Sequence, residues 1–130
     1  MTMPDRDELI DVELTDDERW LLNRGLVEWG GPAACTDAMA TAMGFGSVRD
    51  LFDESERLLE ALRTRRPLSR WDWTRTLLAT EIVFASDVVG SGVEWTITTG
   101  LDDVRTLQAL RELQRKLVKA RTPVGPRPVL

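Results

Sequence analysis

The 130-residue chain has no histidine, no tyrosine and a single cysteine, Cys35. Histidine is the commonest general acid–base near neutral pH and the commonest metal ligand. Without it there is no Ser-His-Asp or Cys-His catalysis, no HExxH zinc site and no Cys/His zinc finger. One thiol forms neither an intramolecular disulfide nor a CxxC redox pair. Carboxylates, arginines and backbone groups remain, but no spacing assembles them into a reactive set. The expectation is a protein that is not an enzyme, with no catalytic, cofactor-binding or metal-binding residues and no cofactor.

Two further absences concern location. The opening stretch, MTMPDRDELIDVEL, is acidic and lacks the basic-then-apolar order of a secretory signal. The longest near-apolar run, 77–89, is interrupted by Glu81 and Asp87 and is too short to span a bilayer. With no export signal and one unpaired cysteine, the sequence predicts a cytoplasmic protein with no membrane attachment.

What is present suits one folded domain: 42% hydrophobic residues can form a core and 30% charged residues a solvated surface. The net charge of −5 hides a gradient, with eight acids against Arg6 alone in residues 1–18 and seven bases against three acids in 101–130. An acidic total opposes non-specific nucleic-acid binding, which needs cations at the phosphates. It suits capture of a basic protein partner. The alternative is that the acidic arm and the basic end attract each other or face water.

Five helices are predicted from their punctuation. Thr15 with Glu18 forms a capping box for a helix over about 16–29, with Leu22, Leu26 and Trp29 inward. Pro32 suits the first position of a short helix ending at Met43. Ser47 opens a third helix that buries Val48, Leu51, Leu58, Leu59 and Leu62 and stops before Pro67. Ser69 opens a fourth, expected to be central, whose apolar residues 77–89 cover an arc of roughly 160° at 100° per residue. Asp102 or Thr99 caps a fifth that runs to about Ala120, with Leu101, Val104, Leu107, Leu110 and Leu117 inward. Residues 1–14 then form an acidic arm, 15–121 the helical domain and 122–130 a tail.

Residues 93–99 follow a different rule. Val93, Trp95, Ile97 and Thr99 alternate with polar residues, and Ile10-Asp11-Val12-Glu13-Leu14 echoes the pattern. These segments, 9–14 and 93–99, either pair as a minor two-stranded ribbon or leave 93–99 as an extended connection whose Trp95 plugs the core. The fold class is mainly α, a compact five-helix bundle with at most that ribbon.

Four residues stand out as candidate partner or ligand contacts: Trp20, Trp71, Glu81 and Trp95. The tryptophans sit among polar neighbours, and tryptophan is enriched at interface hot spots, although half-buried core positions explain it equally. Glu81 falls inside the apolar arc of the fourth helix. A carboxylate there either pairs internally as a structural clamp or waits at the base of an apolar pocket for a small molecule. Asp87 is expected on the opposite face with Thr76 and Thr80, too far away to form a carboxylate pair with it. Gly90-Ser91-Gly92 follows a helix instead of preceding one, which is the wrong end for a phosphate loop.

Residues 35–52, CTDAMATAMGFGSVRDLF, resemble a helix-turn-helix unit of the AraC transcription-regulator type. Ala40 precedes the turn glycine Gly44 by four residues, and Val48 and Leu51 supply apolar positions of the second helix. The resemblance implies a DNA-binding regulator with Ser47, Arg49, Asp50 and Asp53 facing the major groove. Asp50, Asp53, Glu54 and Glu56 are the wrong charge for that role, and nucleic acid is not the expected partner. The expected function is a non-enzymatic interaction module of the inhibitor, antitoxin or immunity-factor kind. Apolar surface on the last two helices in excess of what a 130-residue bundle covers also admits a homodimer.

Overall fold

The computed structural model describes residues 5–31 and 33–124. The fold is mainly helical with a small two-stranded antiparallel sheet, as expected. Helix α1 spans Asp16–Val27 and starts at the reciprocal cap the sequence predicts: Thr15 Oγ1 accepts from the Glu18 N–H at 3.1 Å, and Glu18 Oε1 accepts from the Thr15 N–H at 2.8 Å. It runs on into a 3-10 turn over Glu28–Gly30. Helices α3 (Val48–Arg63), α4 (Arg70–Ala85) and α6 (Asp103–Lys116) begin at Ser47, Ser69 and Asp102, each side chain accepting from a backbone N–H of the first turn. Helix α2, Asp37–Ala42, is shorter than the predicted 32–43 because Thr36, not Pro32, caps it. Pro32 itself and the tail residues 125–130 lie outside the described residues.

The ribbon exists with a different partner. Strand β1, Leu9–Ile10, pairs with β2, Leu68–Ser69, in the register Leu9 with Ser69 and Ile10 with Leu68. It thereby delivers the Glu8 and Arg6 carbonyls to the Arg70 and Trp71 N–H groups, which the first turn of α4 leaves without helical partners. Beyond it, Val12 and Leu14 are buried in the common core. The acidic arm, over 5–14, is therefore strapped to the helical body.

Residues 93–99 are helical, neither strand nor extended connection: a 3-10 turn over Gly92–Glu94 leads into α5, Trp95–Thr99. Their alternation is resolved at a spacing of four. Trp95 and Thr99 point inward, Val93 and Ile97 outward, where a strand would have put all four on one side. Gly100, at φ +75°, ends the helix in the left-handed conformation.

Helix α1, not α4, is central: α3, α4 and α6 all pack against it. The closest crossing is with α4. A Cβ built on Gly25 would lie 2.0 Å from Thr80 Oγ1 and 2.8 Å from Thr80 Cα. Thr76 and Thr80 are accordingly fully buried, on the face facing α1, whereas the apolar arc had placed them outside. Turning that face inward leaves Leu78, Glu81 and Ile82 only half-buried. On α6, Thr106, Leu110 and Leu113 face the core, while Val104 and Leu107, expected inward, are 68% and 51% exposed. Among the described residues no helix is long and apolar enough to cross a membrane.

Candidate functional site

The candidate contacts do not converge. Trp95 is fully buried, its indole N–H donating to Thr106 Oγ1 at 3.0 Å and its ring meeting Phe84 edge-on at 5.5 Å. It is core and cannot touch a partner. The short helix α5 hid this, because only helical spacing turns Trp95 away from Val93 and Ile97. Trp71 is half-buried, with the Arg6 guanidinium 3.5 Å above its ring and that of Arg75 5.9 Å away. Trp20 alone is substantially open, 45% exposed in a shallow depression with Asp16, Arg19, Asn23, Leu62 and Arg63.

Beside Trp71 lies an ionic cluster the sequence reading missed. Arg57, from α3, grips Asp72 of α4 with two parallel bonds of 2.9 Å, and its Nε donates to Glu54 at 2.8 Å. Arg75, buried, donates to Glu54 at 2.8 Å and Asp72 at 3.0 Å, and lies 4.6 Å over the Phe45 ring. Burial alone would lift the Asp72 carboxyl, but the two guanidiniums outweigh it and hold it below the usual aspartate range. The hydrogen bond from Arg57, reinforced by Arg75, likewise lowers Glu54 despite its partial burial. With every charge matched, the cluster clamps α3 to α4 and offers no reactive group. The available signal was the spacing of four polar residues, Glu54, Arg57, Asp72 and Arg75, on the inner sides of two capped helices.

Two more buried carboxylates are also structural. Glu28 accepts from Arg24 at 2.9 Å, from Ser91 Oγ at 3.0 Å and from the Thr98 hydroxyl, tying α1 to the segment before α6. Ser91 is thus a buried donor, not a nucleophile. Glu18 adds a 2.6 Å pair with Lys116 to its capping bonds. Burial opposes ionisation there, yet Lys116 and the Thr15 backbone bring its carboxyl below the ordinary range. Burial, aided by Asp37, pushes the Cys35 thiol up, away from reactivity.

Glu81 is paired inside the protein, but not with a cation: Gln114 Nε2 donates to its Oε2 at 2.5 Å. It lines an open groove of ≈ 570 Å³ between α4 and the end of α6. Leu77, Leu78, Val118 and Val124 supply apolar surface, and Arg111, Arg115 and Arg121 the cations. Such a groove can bind; among the described residues no cluster of His, Cys, Asp or Glu could hold a metal ion.

The second exposed feature is the outer face of α3. Phe52 is 44% exposed, flanked by Asp53 and Glu56. At its N-terminal end, Gly46 donates to Asp50 and Val48 to Asp37, collecting carboxylates at the positive end of the helix. Of the residues expected in a major groove, Ser47 caps the helix, Asp50 caps the turn, and Arg49 lies 4.0 Å from Asp53. Gly44 is required at that turn: its φ is +98° and a Cβ would come 3.0 Å from the Trp71 ring.

The chain matches no protein-family model, no curated protein and no solved structure.

Proposed function

We propose that the chain is a non-enzymatic interaction module of the cytoplasm that captures a basic protein partner through the outer face of α3. One observation carries the reading. In the N-terminal arm and α1, Glu8, Asp17 and Glu18 are matched internally, by Arg70, Arg105 and Lys116. The carboxylates of the α2–α3 corner are not. Glu56 has no ion pair among the described residues, Asp37 and Asp50 meet only backbone N–H groups, and Asp53 makes only a long 4.0 Å pair with Arg49, both side chains exposed. Asp53 and Glu56 flank Phe52, an apolar anchor of the kind that dominates binding energy at interfaces. Acid around an aromatic steers a cationic surface in and then holds it.

The test is affinity capture from the native cytoplasm with the parent and with a Phe52→Ala/Asp53→Lys/Glu56→Lys variant. All three side chains are exposed, so the variant keeps its fold, checked by circular dichroism. A basic protein held by the parent and released by the variant supports the reading. Recovery of DNA, or of one dominant protein that both baits hold equally, overturns it.

A further inference from the structure

The groove between α4 and the end of α6 inverts the sign of the chain around it. The protein carries a net charge of −5, yet Arg111, Arg115 and Arg121 line this groove against one carboxylate, Glu81. That carboxylate is already engaged: Gln114 Nε2 donates to it, while Gln114 Oε1 accepts from Arg111 at 2.8 Å. Arg115 holds Glu112 at 2.8 Å, but both side chains are more than half exposed, and such a surface pair gives way readily to a better acceptor. Arg121 makes no ion pair among the described residues.

Both walls are fixed within the fold. On α4, Leu77 is buried and Leu78 half-buried, so that wall belongs to the bundle. Opposite, the chain leaving α6 is pinned by the Thr122 N–H, which donates to Thr74 Oγ1 at 2.9 Å, and that hydroxyl donates to the Arg70 carbonyl at 2.8 Å. This holds Arg121 and Val124 beside the groove. Arg111 and Arg115 are one helical turn apart and share a face of α6. The volume of ≈ 570 Å³ falls within the range of small-molecule sites. Along α4 the groove runs about 10 Å, from Thr74 to Glu81.

We propose that this groove binds a small amphipathic carboxylate, an aliphatic acid of medium length, with its head group on the arginines and its apolar body along Leu77, Leu78 and Val118. An apolar floor with a few charged groups at its rim is the composition of a ligand site, where the floor supplies affinity and the charges fix orientation. A guanidinium fork meets a carboxylate with two parallel bonds, a match Glu81 leaves unused because it takes an amide donor. A polyanion fits worse: it needs an unbroken run of cations, and Glu81 and Glu112 interrupt this one. Helix α3 forms neither wall, so the site is independent of the basic partner proposed for α3.

Isothermal titration calorimetry of the full chain with octanoate should show saturable binding of one ligand per chain at millimolar concentration or below. Octanamide keeps the body and loses the charge, and acetate keeps the charge and loses the body; each should bind at least about tenfold more weakly. Arg121→Gln and Val118→Glu, both at exposed positions, should keep the helical spectrum and weaken octanoate binding about tenfold, the scale of one charge-assisted bond lost or one like charge added. Arg49→Gln removes the same charge from the exposed face of α3 and should bind octanoate as the parent does. No binding by the parent, octanamide bound as tightly as octanoate, or an equal loss in Arg49→Gln and Arg121→Gln overturns the proposal.

Discussion

Replacing Gly25 with alanine separates two arguments that disagree in sign. Gly25 lies inside α1 without a positive φ, so helix propensity favours alanine by about 1 kcal/mol. Packing opposes it. The new Cβ would meet Thr80 Oγ1 at 2.0 Å, Thr80 Cβ at 2.6 Å and Thr80 Cα at 2.8 Å. The hydroxyl can rotate, but the Cα can move only with α4. The helices must part, which strains the 3.2 Å bond from the Trp29 indole to the Ala79 carbonyl and opens the contact around Leu22 and Val83, both fully buried. Overpacking of this kind costs about 3 kcal/mol at the upper end of its usual range. After the propensity gain, the net loss is about 2 kcal/mol. With unfolding entropy of about 2.1 cal/mol/K per residue, that lowers Tm by roughly 7 °C for this chain. Thermal unfolding followed by circular dichroism measures it, and urea unfolding gives the free energy. In a Thr80→Ala background the same substitution should cost less, since the nearest contact has gone. A Gly25→Ala protein as stable as the parent, or more so, would refute the close crossing of α1 and α4.

Three further outcomes follow from the carboxylates. Glu81→Ala should cost about 1 kcal/mol in urea unfolding, the value of one hydrogen bond to a neutral amide, and not the several expected of a buried ion pair; a loss above about 3 kcal/mol would restore Glu81 as a structural clamp. Asp72→Asn should cost about 2 kcal/mol, less than a fully buried pair because Arg57 is half in solvent and both arginines keep Glu54; no measurable loss would sink the clamp between α3 and α4. Asp72 and Glu18 both have folded-state pKa values below their ordinary ones, so their stabilisation is complete above the unfolded carboxylate range near ~4 and disappears as pH falls through the lowered values. The midpoint of urea unfolding should therefore drop from about pH 4 downward, less steeply in Asp72→Asn, and an equally steep fall in that variant would remove Asp72 from the account.

The capped helices could be read from the sequence because each start rests on one side chain within three residues: Thr15 with Glu18, Ser47 with Asp50, Ser69 with Asp72, Asp102 with Arg105. Orientation could not. The arc on α4 ranks residues by apolarity, yet the face against α1 is chosen by size. Gly25 admits a crossing so close that the fully buried Thr76 and Thr80 fit where a leucine would not. That rotation moved Glu81 from the predicted core to a groove and opened the half-buried side of Leu78 and Ile82. The strand reading of 93–99 failed for a related reason: a period of two and a spacing of four agree on every second alternate residue. Four residues are inward in one and two in the other, and only the packing of Trp95 against Phe84 and Thr106 decides.

The outward apolar residues were invisible for a simpler cause. Val104 and Leu107 have the spacing of a core stripe, and nothing local distinguishes a leucine that faces its own bundle from one that faces outward. Burial supplies the distinction. Helix α6 already seals the core with Thr106, Leu110 and Leu113, and its Val104 and Leu107 are left exposed. Phe52 on α3 is the parallel case, left over once Leu51, Leu58 and Leu62 are buried. Scattered exposed apolar residues need no explanation, but an apolar groove lined by Arg111, Arg115 and Arg121 on an acidic chain does.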